Sequence, residues 1–171
     1  MLMATLLSLL AALLIGAGGA VQSAMLGALG RERTPIGAAW VSVWATVGGL
    51  ALLLLYRSLR DGDAPAPPFR RPDLLGGLVL GCSLLLFSAM RGLPWHYAIT
   101  GMFGLAFIVG AGILVPRIGV AFWVGGTLTG TLITGVLLDH LGAFGTTATP
   151  ASPSRLLGIG LLLAGLGMIR R

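Results

Sequence analysis

One short stretch of the chain, IGAGGAVQSAML at 15–26, places the side-chain amide of Gln22 inside an otherwise apolar run. An amide that lacks a hydrogen-bond partner in hydrocarbon costs a few kcal/mol. A neighbouring helix can supply the partner, in which case Gln22 helps to hold two helices together. A water-filled path can also supply it, and Gln22 would then contact a passing solute. The sequence allows both interpretations.

Three threonines raise the same question further along the chain. Thr127, Thr131 and Thr134 are spaced by four and three residues, so they share one helix face with Gly130. A threonine hydroxyl can bond to a carbonyl of its own helix, which makes the residue inexpensive in a membrane. The stripe therefore either packs against another helix or forms a polar wall opposite Gln22.

Trp44 lies within the second apolar run. Tryptophans of membrane proteins concentrate in belts at the two interfaces, but a ring at this position can also form the wall of a cavity. We predict that the substrate-binding residues are Gln22, Trp44, Thr127, Thr131 and Thr134.

Charged residues are absent from the centres of the apolar runs. An exporter of cations is expected to hold an embedded carboxylate that binds proton and substrate in turn. Asp139 is the nearest candidate, beside His140 at the end of the fifth run. It either caps that helix or couples transport to protons. A path without charge favours a neutral, zwitterionic or weakly polar solute.

No arrangement of side chains predicts catalysis, a cofactor or a metal. Ser, His and Asp do not occur in the spacing of a catalytic unit, and the single cysteine, Cys82, lies in an apolar run. The net charge of +6 comes entirely from arginines at the ends of apolar runs, where lipid headgroups attract them. The protein is therefore predicted not to be an enzyme and not to bind nucleic acid.

The amino-acid composition predicts the secondary structure that positions these residues. Hydrophobic residues make up 56% of the chain and charged residues 9%, against about 25% charged in typical soluble domains. Apolar runs of about 18 residues or more recur, and backbone in hydrocarbon must satisfy its own hydrogen bonds. We therefore predict an all-α integral membrane protein, a bundle of about six transmembrane helices that forms one domain over 1–171. The predicted spans are Leu2–Leu29, Ile36–Tyr56, Leu74–Met90, Tyr97–Val115, Gly119–Leu138 and Leu156–Ile169, with hydrophilic loops at 57–73 and 139–155.

Small residues form stripes on several of these helices. Helices in a bilayer gain stability from close packing, which small residues permit. The residues predicted to form helix-contact faces are Gly16, Gly19, Ser23, Gly126, Gly130, Gly160 and Gly167.

The arginines set the expected orientation. With six spans, seven arginines fall on the side of the N-terminus and four on the other side. The positive-inside rule then places both termini in the cytoplasm. Because this bias is small, insertion in both orientations and an antiparallel homodimer are a hypothesis.

Several motifs in order resemble a known family. They are GAGGAVQSAMLGALG, TPIGAAWVSVWATVGGLALLLL, PWHYAITGMFG, VPRIGVAF, GTLITGVLLDHLG and RLLGIGLLLAGLGMI. Together they are similar to the small, single-repeat YdcZ-like branch of the drug/metabolite transporter (DMT) superfamily. The resemblance implies proteins that pair to build a full transporter, typically with five spans, so that Leu74–Met90 is an additional one. The branch usually has glutamine where this chain has Thr131.

We therefore expect a transporter subunit in the cytoplasmic (inner) membrane of a prokaryote, which moves a small metabolite or drug by alternating access. Its expected partners are membrane lipids and a second copy or a paralogue, as a homodimer or heterodimer. The alternative is a non-transporting accessory subunit that docks a partner through its glycine-rich helix faces.

Overall fold

The computed structural model describes residues 2–60, 69 and 71–169, and nearly all of them are helical. No β-strand occurs in these ranges. The predicted all-α fold is confirmed. Most of the predicted hydrophilic loop 57–73 lies outside the described residues, at 61–68 and 70. The helices are α1 (Leu2–Glu32), α2 (Pro35–Arg60), α3 (Pro72–Ala89), α4 (Thr100–Ile118), α5 (Val120–Leu141) and α6 (Pro153–Ile169), with 3-10 segments at Trp95–Ile99 and Ala143–Gly145.

Helices α1 to α5 are each long and apolar enough to cross a membrane, the fourth together with the 3-10 segment Trp95–Ile99. Helix α6 is also apolar but shorter, with 17 residues. Its length is about 25 Å, whereas the hydrocarbon core of a bilayer is about 30 Å thick. Large hydrophobic side chains are exposed along the helices, for example Leu14, Leu80 and Leu161. Such surfaces suit lipid, because lipid does not penalise exposed apolar area.

Proline and glycine determine where the helices begin and end. Proline is the first residue of α2, α3 and α6, a position that needs no amide hydrogen. Helices α4 and α5 are separated only by Gly119, whose φ of 81° lies in the left-handed region. Gly142, with φ 59°, ends α5 in the same conformation. Asp139 and His140 therefore belong to the last turn of α5, and the connection to α6 covers only 142–152.

The chain divides into two compact units. The middle unit is Leu29–Leu105, in which α2 packs along α3 and against the 3-10 segment Trp95–Ile99. The terminal unit combines Met1–Ala28 with Ala106–Arg171. In it, α5 packs against α6, and Ala12, Leu114 and Trp123 form a buried cluster.

Candidate functional site

In the terminal unit, α1 and α5 meet with their backbones in contact. A Cβ atom on Gly16 would lie 2.0 Å from the carbonyl oxygen of Thr127, and one on Gly130 would lie 2.0 Å from that of Leu13. A Cβ on Gly126 would lie 3.0 Å from Cβ of Ala12. Only glycine permits this approach at Gly16 and Gly130, because both obstacles are backbone atoms.

The threonines of α5 find acceptors inside the terminal unit. Thr127 Oγ1 lies 3.0 Å from the carbonyl oxygen of Trp123, and Thr129 Oγ1 donates to that of Gly125 at 2.7 Å. Thr131 Oγ1 lies 2.9 Å from two carbonyl oxygens, that of Thr127 on its own helix and that of Gly16 on α1. The hydroxyls of Thr127 and Thr131 therefore need no ligand to be satisfied.

Thr131 contacts α1 at a point within two helical turns of Gln22. Thr131 Oγ1 lies 3.8 Å from where a Cβ of Gly19 would be, and Gly19 precedes Gln22 by three residues. The side chains of Gln22 and Thr134 are both half-buried. The terminal unit thus holds four of the five predicted substrate-binding residues, and Trp44 belongs to the middle unit.

The other residues predicted to pack helices have different surroundings. Ser23 is exposed and donates to the carbonyl oxygen of Gly19 at 2.9 Å. No side chain or backbone lies within 4 Å of a Cβ added at Gly160 or Gly167. Helix α6 instead contacts α5 through Leu166, whose Cδ1 would lie 2.6 Å from a Cβ on Gly125.

The middle unit has an open cavity of about 210 Å³ between α2, α3 and the beginning of α4. No charged side chain lines it. Apart from apolar side chains, its lining includes Trp44, Gly48, Gly49, Cys82, Ser83 and Met102. The cavity can therefore accept an uncharged molecule that offers apolar surface and a few polar atoms.

Trp44 lines this cavity, and its indole N–H is a notable buried polar group. Its Nε1 atom is buried and has no hydrogen-bond partner, the only such buried side-chain nitrogen or oxygen in the part of the chain that the structure describes. The Trp40 ring packs edge-on against that of Trp44, with centroids 5.3 Å apart and planes at 78°. A buried donor without an acceptor costs about 1–3 kcal/mol. An acceptor atom on a ligand would remove that cost.

Close helix packing supports the walls of the cavity. Thr46 Oγ1 lies 2.9 Å from the carbonyl oxygens of both Ser42 and Gly101, so that its hydroxyl joins α2 to α4. A Cβ on Gly101 would lie 2.4 Å from Cβ of Ala45. A Cβ on Gly48 would lie 3.2 Å from Cβ of Cys82. The glycines thus let α2 approach α3 and α4 while Trp44 remains at the cavity.

The sequence analysis predicted Trp44 as a site residue but not Gly48, Gly49, Cys82 and Ser83, which line the same cavity. One signal was present: Gly48 follows Trp44 by four residues, one turn along the same helix face. Cys82, which lies in an apolar run of the sequence, is buried.

Asp139, the residue predicted as a possible coupling group, lies at the end of α5 in the terminal unit. Its Oδ2 lies 3.4 Å from Nη1 of Arg155, with both side chains partly exposed. Its carbonyl oxygen accepts the N–H of Thr149 at 2.8 Å, and His140 Nδ1 accepts that of Ala151 at 3.2 Å. These bonds hold the connection between α5 and α6. Among the described residues, no group of His, Cys, Asp and Glu could hold a metal ion.

Comparison with protein families identifies the chain. Residues 7–168 match the family described as "Putative inner membrane exporter, YdcZ". Comparison with curated proteins and with solved structures found no match. The family match confirms the resemblance seen in the motifs and the location in the inner membrane, and it describes a transporter rather than an enzyme. With its apolar helices and a match over nearly its whole length, the chain belongs to the YdcZ family of multi-pass inner-membrane exporters.

Proposed function

We propose that the protein is an exporter subunit for small neutral, zwitterionic or weakly polar molecules, and that the cavity beside Trp44 is its substrate-binding site. The observation that carries the proposal is the buried Nε1 of Trp44, which has no acceptor among the described residues. Soluble and membrane proteins alike rarely leave such a donor unsatisfied. A substrate with a carbonyl or ether oxygen would accept a hydrogen bond from it.

Size and charge narrow the class of substrate. The volume of about 210 Å³ is below the ~300–1,000 Å³ of sites for drug-sized ligands. A group with net charge would be costly here, because no charged lining residue could pair with it. These properties favour a compact metabolite over a large or cationic drug.

We also propose alternating access by a pair of subunits, a homodimer or a heterodimer with a paralogue. Two features support it: the resemblance to single-repeat proteins that pair, and the glycines of α6. Gly158, Gly160, Gly165 and Gly167 have open space where a Cβ would be. A helix of a second subunit can approach closely at such positions.

One observation favours a second candidate, a non-transporting accessory subunit. The hydroxyls of Thr127, Thr129 and Thr131 all find acceptors within the terminal unit. In that case the polar stripe of α5 serves packing alone, and the open glycines of α6 would face a larger partner. The two candidates differ in whether the cavity beside Trp44 binds a small molecule.

Ligand-induced thermal stabilisation of the purified protein tests the proposal. The panel would contain small amides, lactones and free amino acids, with carboxylic acids and quaternary ammonium ions as charged counterparts. A ligand that binds only the folded form raises the unfolding midpoint. We expect stabilisation by uncharged or zwitterionic compounds, with an apparent Kd about five- to tenfold weaker in Trp44→Phe, which loses one hydrogen bond.

Trp95→Phe is the matched control, because Trp95 is exposed and does not line this cavity. It should bind the same compounds as the wild type. If no panel compound stabilises the wild type, or if Trp44→Phe binds with unchanged affinity, the proposed site is wrong. Preferential binding of the quaternary ammonium ions would contradict the proposed substrate class.

A further inference from the structure

The terminal unit carries a second, more polar groove, between the N-terminal part of α1 and the end of α4. Its volume is about 580 Å³. Leu7, Ala11, Leu114 and Ile118 provide apolar walls, and Ser8 and Arg117 provide polar groups. The groove lies wholly within the terminal unit and does not involve the cavity beside Trp44.

Arg117 differs from most arginines that the structure describes. Its guanidinium group makes no ion pair or hydrogen bond with any described residue. Other arginines do have partners: Arg60 donates to Tyr56 Oη, Arg71 pairs with Asp73, and Arg155 pairs with Asp139. The five donors of a guanidinium form a planar fork that matches the oxygens of a phosphate. Arg117 therefore offers a free cation at the groove.

Ser8 is also without a partner in the described chain. Other hydroxyls of the terminal unit donate to the carbonyl oxygen four residues earlier, as Ser23 does to Gly19 and Thr127 does to Trp123. Ser8 makes no such bond. A half-buried hydroxyl and a free guanidinium thus line the same groove.

The depth of the groove indicates which anion it fits. Arg117 lies in the last turn of α4, two residues before the break at Gly119. The end of a membrane-spanning helix is at the level of the lipid phosphates, and anionic lipids attract arginine there. The walls formed by Leu7 and Leu114 continue into the apolar part of the helices, where an acyl chain would be in contact with them.

We propose that this groove binds the phosphodiester headgroup of an anionic membrane lipid. Arg117 pairs with the phosphate oxygens, the Ser8 hydroxyl donates a hydrogen bond to one of them, and the acyl chains lie along the apolar walls. Charge complementarity and the mixed lining favour a lipid over a free anion, which would gain nothing from the apolar walls.

The test titrates purified protein in an uncharged detergent with three probes: phosphatidylglycerol, phosphatidylcholine and inorganic phosphate. The readout is the apparent Kd from the rise of the unfolding midpoint. We expect a saturable rise with phosphatidylglycerol, a weaker one with phosphatidylcholine and none with phosphate. In Arg117→Gln the apparent Kd for phosphatidylglycerol should weaken about five- to tenfold.

Two further variants keep the result interpretable. Arg117→Lys retains the charge but loses the planar fork, and its apparent Kd for phosphatidylglycerol should weaken about three- to fivefold. If the glutamine variant does not fold, wild-type binding by Arg117→Lys overturns the proposal. Arg60→Gln removes an arginine from the middle unit, at the end of α2, and should bind phosphatidylglycerol like the wild type. The proposal is overturned if Arg117→Gln binds like the wild type, if Arg60→Gln weakens binding equally, or if inorganic phosphate alone gives the same saturable rise.

Discussion

The contact between α1 and α5 predicts a large penalty for one added methyl group. In Gly130→Ala, the new Cβ would lie 2.0 Å from the carbonyl oxygen of Leu13, whereas ordinary contacts begin at 3.4 Å. The helices must therefore separate by roughly 1.4 Å. Neither group can rotate away, because one atom is fixed to the α5 backbone and the other belongs to the α1 backbone.

The magnitude follows from three contributions. Overpacking costs about 1–3 kcal/mol. Separation would also stretch the 2.9 Å bond from Thr131 Oγ1 to the Gly16 carbonyl oxygen beyond hydrogen-bonding distance, and such interhelical bonds are worth about 0.6–1.7 kcal/mol in membranes. Alanine recovers about 0.5–1 kcal/mol of helix propensity. The free energy of unfolding should fall by about 1–4 kcal/mol.

Gly135→Ala is the control on the same helix, since no atom lies within 4 Å of its added Cβ. It should be neutral or stabilise by up to about 1 kcal/mol. The assay is unfolding in mixed detergent micelles, or the thermal midpoint, which shifts by about 2–4 °C per kcal/mol for a protein of this size. If Gly130→Ala unfolds at the same midpoint as Gly135→Ala, the inferred backbone contact is wrong.

Two further substitutions separate packing from binding. Thr131→Val should lower the free energy of unfolding by about 0.6–1.7 kcal/mol, whereas Thr129→Val should change it by less than about 0.5 kcal/mol, because Thr129 bonds only to its own helix. If the two substitutions have equal effects in the micelle assay, the inferred hydrogen bond between Thr131 and α1 is wrong. Without ligand, the free energy of unfolding of Trp44→Phe should be at most about 1 kcal/mol below that of the wild type. The variant loses some packing with the smaller ring, but it also loses the cost of the unpartnered N–H. A loss of more than about 2 kcal/mol would mean that the N–H has a partner in the protein.

Much of the fold was predictable because the chain marks the ends of its helices. Predicted and observed first residues differ by at most three for each helix, because Pro35, Pro72 and Pro153 begin helices and charged residues cannot lie deep in hydrocarbon. The end of the fifth helix was predicted three residues too early. Asp139 suggested a loop, but its partners Arg155 and Thr149 hold it within the last helical turn.

The site was less predictable, because it depends on which helices meet. The spacing of Thr127 and Thr131 correctly indicated one face of α5, but only the structure identifies the Gly16 carbonyl oxygen as the acceptor on α1. Likewise, Trp44 was selected for its type, whereas the cavity beside it forms from residues of α2, α3 and α4 that are up to 58 positions apart, from Trp44 to Met102. Periodicity describes the faces of single helices and carries no information on their partners.

Transport by the reconstituted protein is the most direct test of the claim that the Trp44 cavity belongs to the export path. Proteoliposomes would be loaded with the panel compound that stabilises the wild type most, and its efflux would be compared among wild type, Trp44→Phe and Trp95→Phe. We predict saturable efflux by the wild type and Trp95→Phe, and about five- to tenfold lower efflux by Trp44→Phe at low substrate concentration. Equal efflux by wild type and Trp44→Phe, or none by the wild type, would contradict the account.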